Sequence, residues 1–158
     1  MAPVQRFRFN DAKGTIKLPV LSATGIDVGW LCYYDATDDT VKPFSAQPDQ
    51  TSLVLNQQLW KDNFAGVAVT GHVANGPVED LTLATEGVFE FECAATAWDA
   101  FSLVGADEVA GIPGTGSNFT VIAAAAQTDA IGRVWRKYTA TTTRVLVRIS
   151  GNRTTNTV

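Results

Sequence analysis

The chain is poor in the residues that most often carry chemistry. It has 158 residues, with a single histidine, His72, and two cysteines, Cys32 and Cys93. One histidine excludes a histidine-based metal cluster, and the two cysteines lack zinc-finger spacing, so no metal is expected. Long apolar runs are also missing. Segment 121–126 is typical of the longest, against the roughly 18–20 residues that cross a bilayer, so no membrane partner is expected. The opening MAPVQRFRFND contains no apolar signal core. The expectation is a chain that folds in a cytosol with both thiols reduced and buried.

Basic residues are scarce over most of the length. Residues 18–128 hold only Lys42 and Lys61 against fourteen carboxylates. The ends reverse this balance. Residues 1–17 carry Arg6, Arg8, Lys13 and Lys17 against Asp11, and residues 129–158 carry six basic residues against Asp129. The formal net charge is −4. An acidic middle repels phosphate, so nucleic acid is not an expected partner. The basic ends have two readings. They can pair with acidic neighbours in the same chain, or they can meet an acidic surface on another molecule.

What the chain does have is β signal. Short alternating runs recur between turn residues such as Asn75-Gly76 and Glu86-Gly87. Strands are expected over 15–20, 28–34, 40–44, 66–70, 81–85, 88–93, 100–104, 119–123, 131–138 and 144–149. In 88–93, Phe89, Phe91 and Cys93 face one way and Glu90 and Glu92 the other. In 144–149, Val145, Val147 and Ile149 oppose Arg144, Leu146 and Arg148, and a threonine-rich link precedes them. One helix is expected over 50–63, capped by Asp49, with Leu55, Leu59 and Asn63 on one face. Segment 111–118, GIPGTGSN, reads as a flexible loop. The fold expected is all-β: a small antiparallel β-barrel or sandwich with one short helix and extended termini. Residues 1–14 read as an arm, 15–150 as the barrel-like body and 151–158 as a polar tail.

Catalytic patterns are weak. His72 lies in a turn-like loop, and no serine sits in a G-x-S-x-G elbow. Glu90 and Glu92 would project about 7 Å apart, as acid–base pairs can, but on a strand surface such pairs usually face solvent. Segment 114–118 lacks the phosphate-loop lysine. Asp35, Asp38 and Asp39 lack calcium-loop spacing and read as a turn. No cofactor and no catalytic residue are expected. Four tryptophans could serve as sugar platforms, or as core and interface anchors.

Three segments together resemble a known family: FAGVAVTG (64–71), LATEGVFEFECA (83–94) and AIGRVWRKYTATTTRVLVRI (130–149). In order and spacing they are similar to the DUF2190-like capsid decoration, or cement, proteins of tailed bacteriophages. The resemblance covers about 27–150. It implies a β-barrel-like domain made in the host cytoplasm and carried on the virion's capsid surface. There it would sit as a homotrimer that bridges neighbouring major capsid protein subunits. Such a protein needs interfaces rather than an active site. Arg6, Phe7, Arg8, Phe9, Arg144 and Arg148 are the expected contacts with sister subunits or the shell. The alternatives are another virion part, in the tail or head–tail connector, and a carbohydrate-binding β-module.

Overall fold

Strands with both faces covered read as continuous apolar runs rather than alternating ones. Segment 64–68, FAGVA, is such a run, and all five of its residues are buried. Two cores on opposite sides of one sheet explain it. The computed structural model describes residues 14–150. The sequence-expected arm contacts Arg6, Phe7, Arg8 and Phe9, and the tail 151–158, lie outside the described residues.

The first half of the body is a five-stranded antiparallel sheet. It is built from β1 (Thr15–Val20), β2 (Leu31–Asp35), β3 (Thr40–Pro43), β4 (Phe64–Ala68) and β5 (Glu79–Ala84), in the order β1-β5-β4-β2-β3. The sheet curls until its unpaired edge strands, β1 and β3, meet. Val20, Ile26, Cys32, Val41, Ala65, Leu81 and Leu83 fill its inside. The other faces of β2, β4 and β5 give Leu31, Tyr33, Phe64, Val67 and Ala84 to a second, larger core.

That second core belongs mainly to a closed five-stranded barrel. Its strands are β6 (Gly87–Trp98), β7 (Leu103–Val109), β8 (Ile112–Ala123), β9 (Gly132–Val134) and β10 (Tyr138–Ile149), in the order β10-β6-β8-β7-β9. All neighbours are antiparallel except β6 and β8, which touch through one parallel pair, Glu92 with Thr120. The expected faces hold: Phe89, Phe91, Val145, Val147 and Ile149 are buried. The architecture is all-β with one helix and a barrel.

The helix, α1 (Leu53–Asn63), packs on the barrel and differs from expectation twice. Its cap is Ser52, whose hydroxyl accepts from the Leu55 N–H at 3.4 Å. Asp49 instead accepts from Thr51 N–H and the Asn56 amide. The buried face is also not the leucine face. Asn56, Gln57 and Trp60 are buried, whereas Val54 and Leu55 are about half exposed. Amides can turn inward here because each finds partners. The Asn56 amide donates to Asp49 and Glu108 at 3.1 Å each, and Gln57 donates to the Ala106 carbonyl at 3.0 Å.

Four other expectations change. GIPGTGSN is no loop: all of it after Gly111 forms the first part of β8, with Ser117 and Asn118 buried. Its glycines let α1 and its approach segment come close. Gly116 faces the Trp60 indole, where a Cβ would stand 3.0 Å away, and Gly114 faces Asp49. The threonine link is strand too, because β10 starts at Tyr138 and bends through register breaks around Thr142. The strand expected over 131–138 is only Gly132–Val134, since the chain turns away at Trp135. Likewise β7 starts at Leu103, because Ala100 and Phe101 form a turn.

Candidate interaction surface

Strand β10 presents its outward arginines beside two strands that differ in charge. On one side is β6, with Arg144 directly opposite Glu92 in register. Arg144 bridges both glutamates, at 3.4 Å to Glu90 and 3.9 Å to Glu92. Its guanidinium is half exposed, so the pair orients more than it stabilises. The two glutamates therefore share one cation rather than standing as a free acid–base pair.

On the other side is β9 and the turn after it. Arg148 lies over the Trp135 indole, 5.7 Å from guanidinium carbon to ring centre. Arg136 lies over Tyr138 at 5.1 Å. Such stacks fix long side chains that would otherwise sample many rotamers. Lys137 reaches Asp99 at 3.4 Å. Leu146, on the arginine side of β10, is nonetheless buried. The Trp135–Tyr138 turn crosses its backbone: Trp135 N–H donates to the Leu146 carbonyl, and Leu146 N–H donates to the Tyr138 hydroxyl.

Next to this turn stands Phe101, which sequence reasoning missed. It is 66% exposed and has φ of 66°. The left-handed region is costly for a bulky residue. Three bonds hold it there. Phe101 N–H donates to the Val134 carbonyl at 2.9 Å, Arg133 donates to the Phe101 carbonyl at 3.0 Å, and Val134 N–H donates to the Ser102 carbonyl at 2.9 Å. The second Arg133 nitrogen is held by Gln127 at 2.7 Å. No sequence signal marks a phenylalanine with positive φ; the Asp99-Ala100 turn before it is the nearest hint.

The rim so formed shows Phe101 and Trp135 among Arg133, Arg136, Lys137 and Arg148. Of the tryptophans, Trp60 and Trp98 are buried and Trp30 packs against the inner core of the first sheet. Trp135 is 41% exposed. A cleft of about 210 Å³ lies beside it, between Glu86, Val88, Arg148 and Ile149. That is below the usual size of a small-molecule site. A second cleft of about 450 Å³ lies between the β2–β3 hairpin and the end of α1, floored by Tyr33, Gln47 and Phe64.

The remaining candidates resolve as structural. Lys42 reaches Asp35 at 2.7 Å and Asp38 at 2.6 Å. The lysine bond and the Thr37 amide lower the Asp35 pKa to about 2. Tyr34 donates its hydroxyl to Asp39. Both cysteines are free and buried in different cores, and burial pushes each thiol up. His72 is in the expected loop but is buried, with both ring nitrogens engaged. Among the described residues no cluster of three His, Cys, Asp or Glu side chains could hold a metal ion, and no helix is long and apolar enough to cross a membrane. No family model matches the chain, and no curated protein does either.

Proposed function

We propose that this chain is a structural virion protein. It binds the outer surface of an icosahedral phage capsid as a homotrimer and stabilises the shell by bridging neighbouring major capsid subunits. The observation that carries this reading is the barrel rim. Exposed Trp135 lies under the Arg148 guanidinium, and the backbone that displays Phe101 is fixed by bonds to Val134 and Arg133. Aromatics and arginines are the residues that dominate protein interfaces, and fixing them in advance removes part of the entropy cost of binding. The segment resemblance supplies the partner. A trimer whose three copies each touch the shell would add avidity without new contacts.

The test is binding of the purified chain to expanded shells made of the major capsid protein alone. Saturating, stoichiometric decoration is expected, visible in a particle reconstruction. Trp135→Ala with Arg148→Ala should lower occupancy at limiting chain. Arg6→Ala with Arg8→Ala tests the arm in the same assay. Shells that stay bare at saturating wild-type chain would refute the reading.

A further inference from the structure

Two loops at one end of the first sheet are more tightly knit than their composition suggests. They are 21–30, between β1 and β2, and 69–78, between β4 and β5. Ile26 and His72 exchange both backbone bonds, at 2.8 and 2.9 Å. Asn75 N–H donates to the Ser22 carbonyl at 2.6 Å, and the Ser22 hydroxyl donates to the Gly76 carbonyl at 2.8 Å. The His72 ring lies between the Thr24 and Pro77 carbonyls, at 2.6 and 2.9 Å.

This frame holds apolar side chains out in water. Val73 is 80% exposed and Val78 70%, and Leu21 and Val28 are each more than 40% exposed. Val28 lies beside Gly71, where a Cβ would stand 3.9 Å from its Cγ2, so the two loops share one surface. Rigid loops that display valines are what a docking surface needs and what solubility disfavours. The surround is acidic. Asp27, Glu79 and Asp80 are exposed on these loops and the start of β5, against one exposed cation, Lys17, on the neighbouring β1.

We infer that these loops dock on the Phe101–Trp135 rim of a second copy of this chain, head to tail. Charge selects the partner. Two acidic loop surfaces repel, which disfavours a twofold contact of this surface with itself. The basic aromatic rim is the unlike surface that the same chain supplies. It has Arg136, Lys137 and Arg148 to face the carboxylates, and exposed rings to cover the valines. The inference rests on the self-association in the reading above and not on its capsid partner.

Two measurements on the full chain test it. The first is light scattering at high concentration and low salt. Wild type should exceed the mass of one chain. Val73→Asp with Val78→Asp should return it to one chain, as should Arg136→Glu with Arg148→Glu. An unchanged melting temperature shows that these exposed substitutions leave the fold intact. Glu79→Arg with Asp80→Arg should also be monomeric alone, yet should pair with the Arg136→Glu, Arg148→Glu chain on mixing. The second is carbodiimide cross-linking of mixed light and ¹⁵N-labelled chains. Lys137 should link to Glu79 or Asp80 across isotopes. A wild type that stays at one chain, valine variants that keep the wild-type mass, or links confined to other pairs would each overturn the inference. Loss of this contact with shell decoration retained would leave the capsid reading standing; the reverse would leave the contact standing.

Discussion

Asp49 lies against Gly114 so closely that a Cβ on Gly114 would stand 2.4 Å from the Asp49 side chain. The glycine also has φ of 82°. It is the point where the approach to α1 rests on β8. Gly114→Ala should therefore cost about 2–4 kcal/mol, combining overpacking with left-handed strain. Gly111 is the control. Its φ is 80°, but nothing lies within 4 Å of its added Cβ, so Gly111→Ala should cost only the backbone strain, roughly 1 kcal/mol. Urea denaturation of both variants separates the two effects. Equal losses would mean that the close approach does not matter.

His72 makes stability depend on pH near neutrality. Only the doubly protonated ring can donate to both carbonyls it faces. The bonds to Pro77 and Thr24 raise its pKa, burial lowers it, and the Glu79 charge adds to the rise. The folded pKa thus lies above the ordinary 6.5. The stabilisation is complete below that value and is lost as pH rises through the folded pKa. The melting temperature should fall over that window, and His72→Gln should flatten the profile there. Protons on both ring nitrogens at about pH 6, seen by ¹⁵N NMR, would confirm the cause.

The acid limb has a different origin. Asp35 is held to a pKa of about 2 by Lys42 first and by Thr37 next, and Lys42 also lowers Asp38. A lowered carboxylate stabilises above its unfolded pKa and stops doing so as pH falls through its folded one. The hairpin should therefore loosen between about pH 4 and pH 2. Amide exchange at Tyr34 and Val41 would report it. Lys42→Met should loosen the hairpin at neutral pH and flatten its acid profile; an unchanged profile would exclude this pair as its source.

Phe101 trades stability for display. Replacing it with glycine relieves the left-handed strain and removes only an exposed ring. Phe101→Gly should stabilise by roughly 0.5–1 kcal/mol, after the added entropy of the unfolded glycine is deducted. The same variant should bind less well in the shell and self-association assays above. Higher stability with unchanged binding would show that the ring is not a contact.

Much of the barrel is legible in the sequence because one of its faces is wet. The alternation in 88–93 and 144–149 puts Phe91 and Val145 on inner faces and Glu92 and Arg144 on outer ones; that they stand opposite each other in register appears only in the fold. Legibility fails where glycine or amide side chains do the packing. Glycines at 114 and 116 look like mobility, but they are thin places in a strand that let Asp49 and Trp60 approach. Asn56 and Gln57 look like the outside of a helix, because their partners Glu108 and Ala106 lie about fifty residues away. The basic β10 side of the rim is legible in the sequence as Arg148. On its aromatic side Trp135 is legible as a candidate anchor but Phe101 is not, because it depends on a backbone angle and on Arg133, 32 residues on. The docking loops show the same limit: exposed valines have no signature until the frame that exposes them is known.

The curl of the first sheet has a further consequence. An open sheet edge is a template on which any passing strand can add, and crowding makes that more frequent. Here β1 and β3 turn toward each other, and the barrel strands close on themselves. Among the described residues, the two unpaired edges of the first sheet thus lie against each other. Folded copies can then accumulate to high concentration without fibrous assembly, so that association is left to side chains, where charge can dictate which surfaces meet.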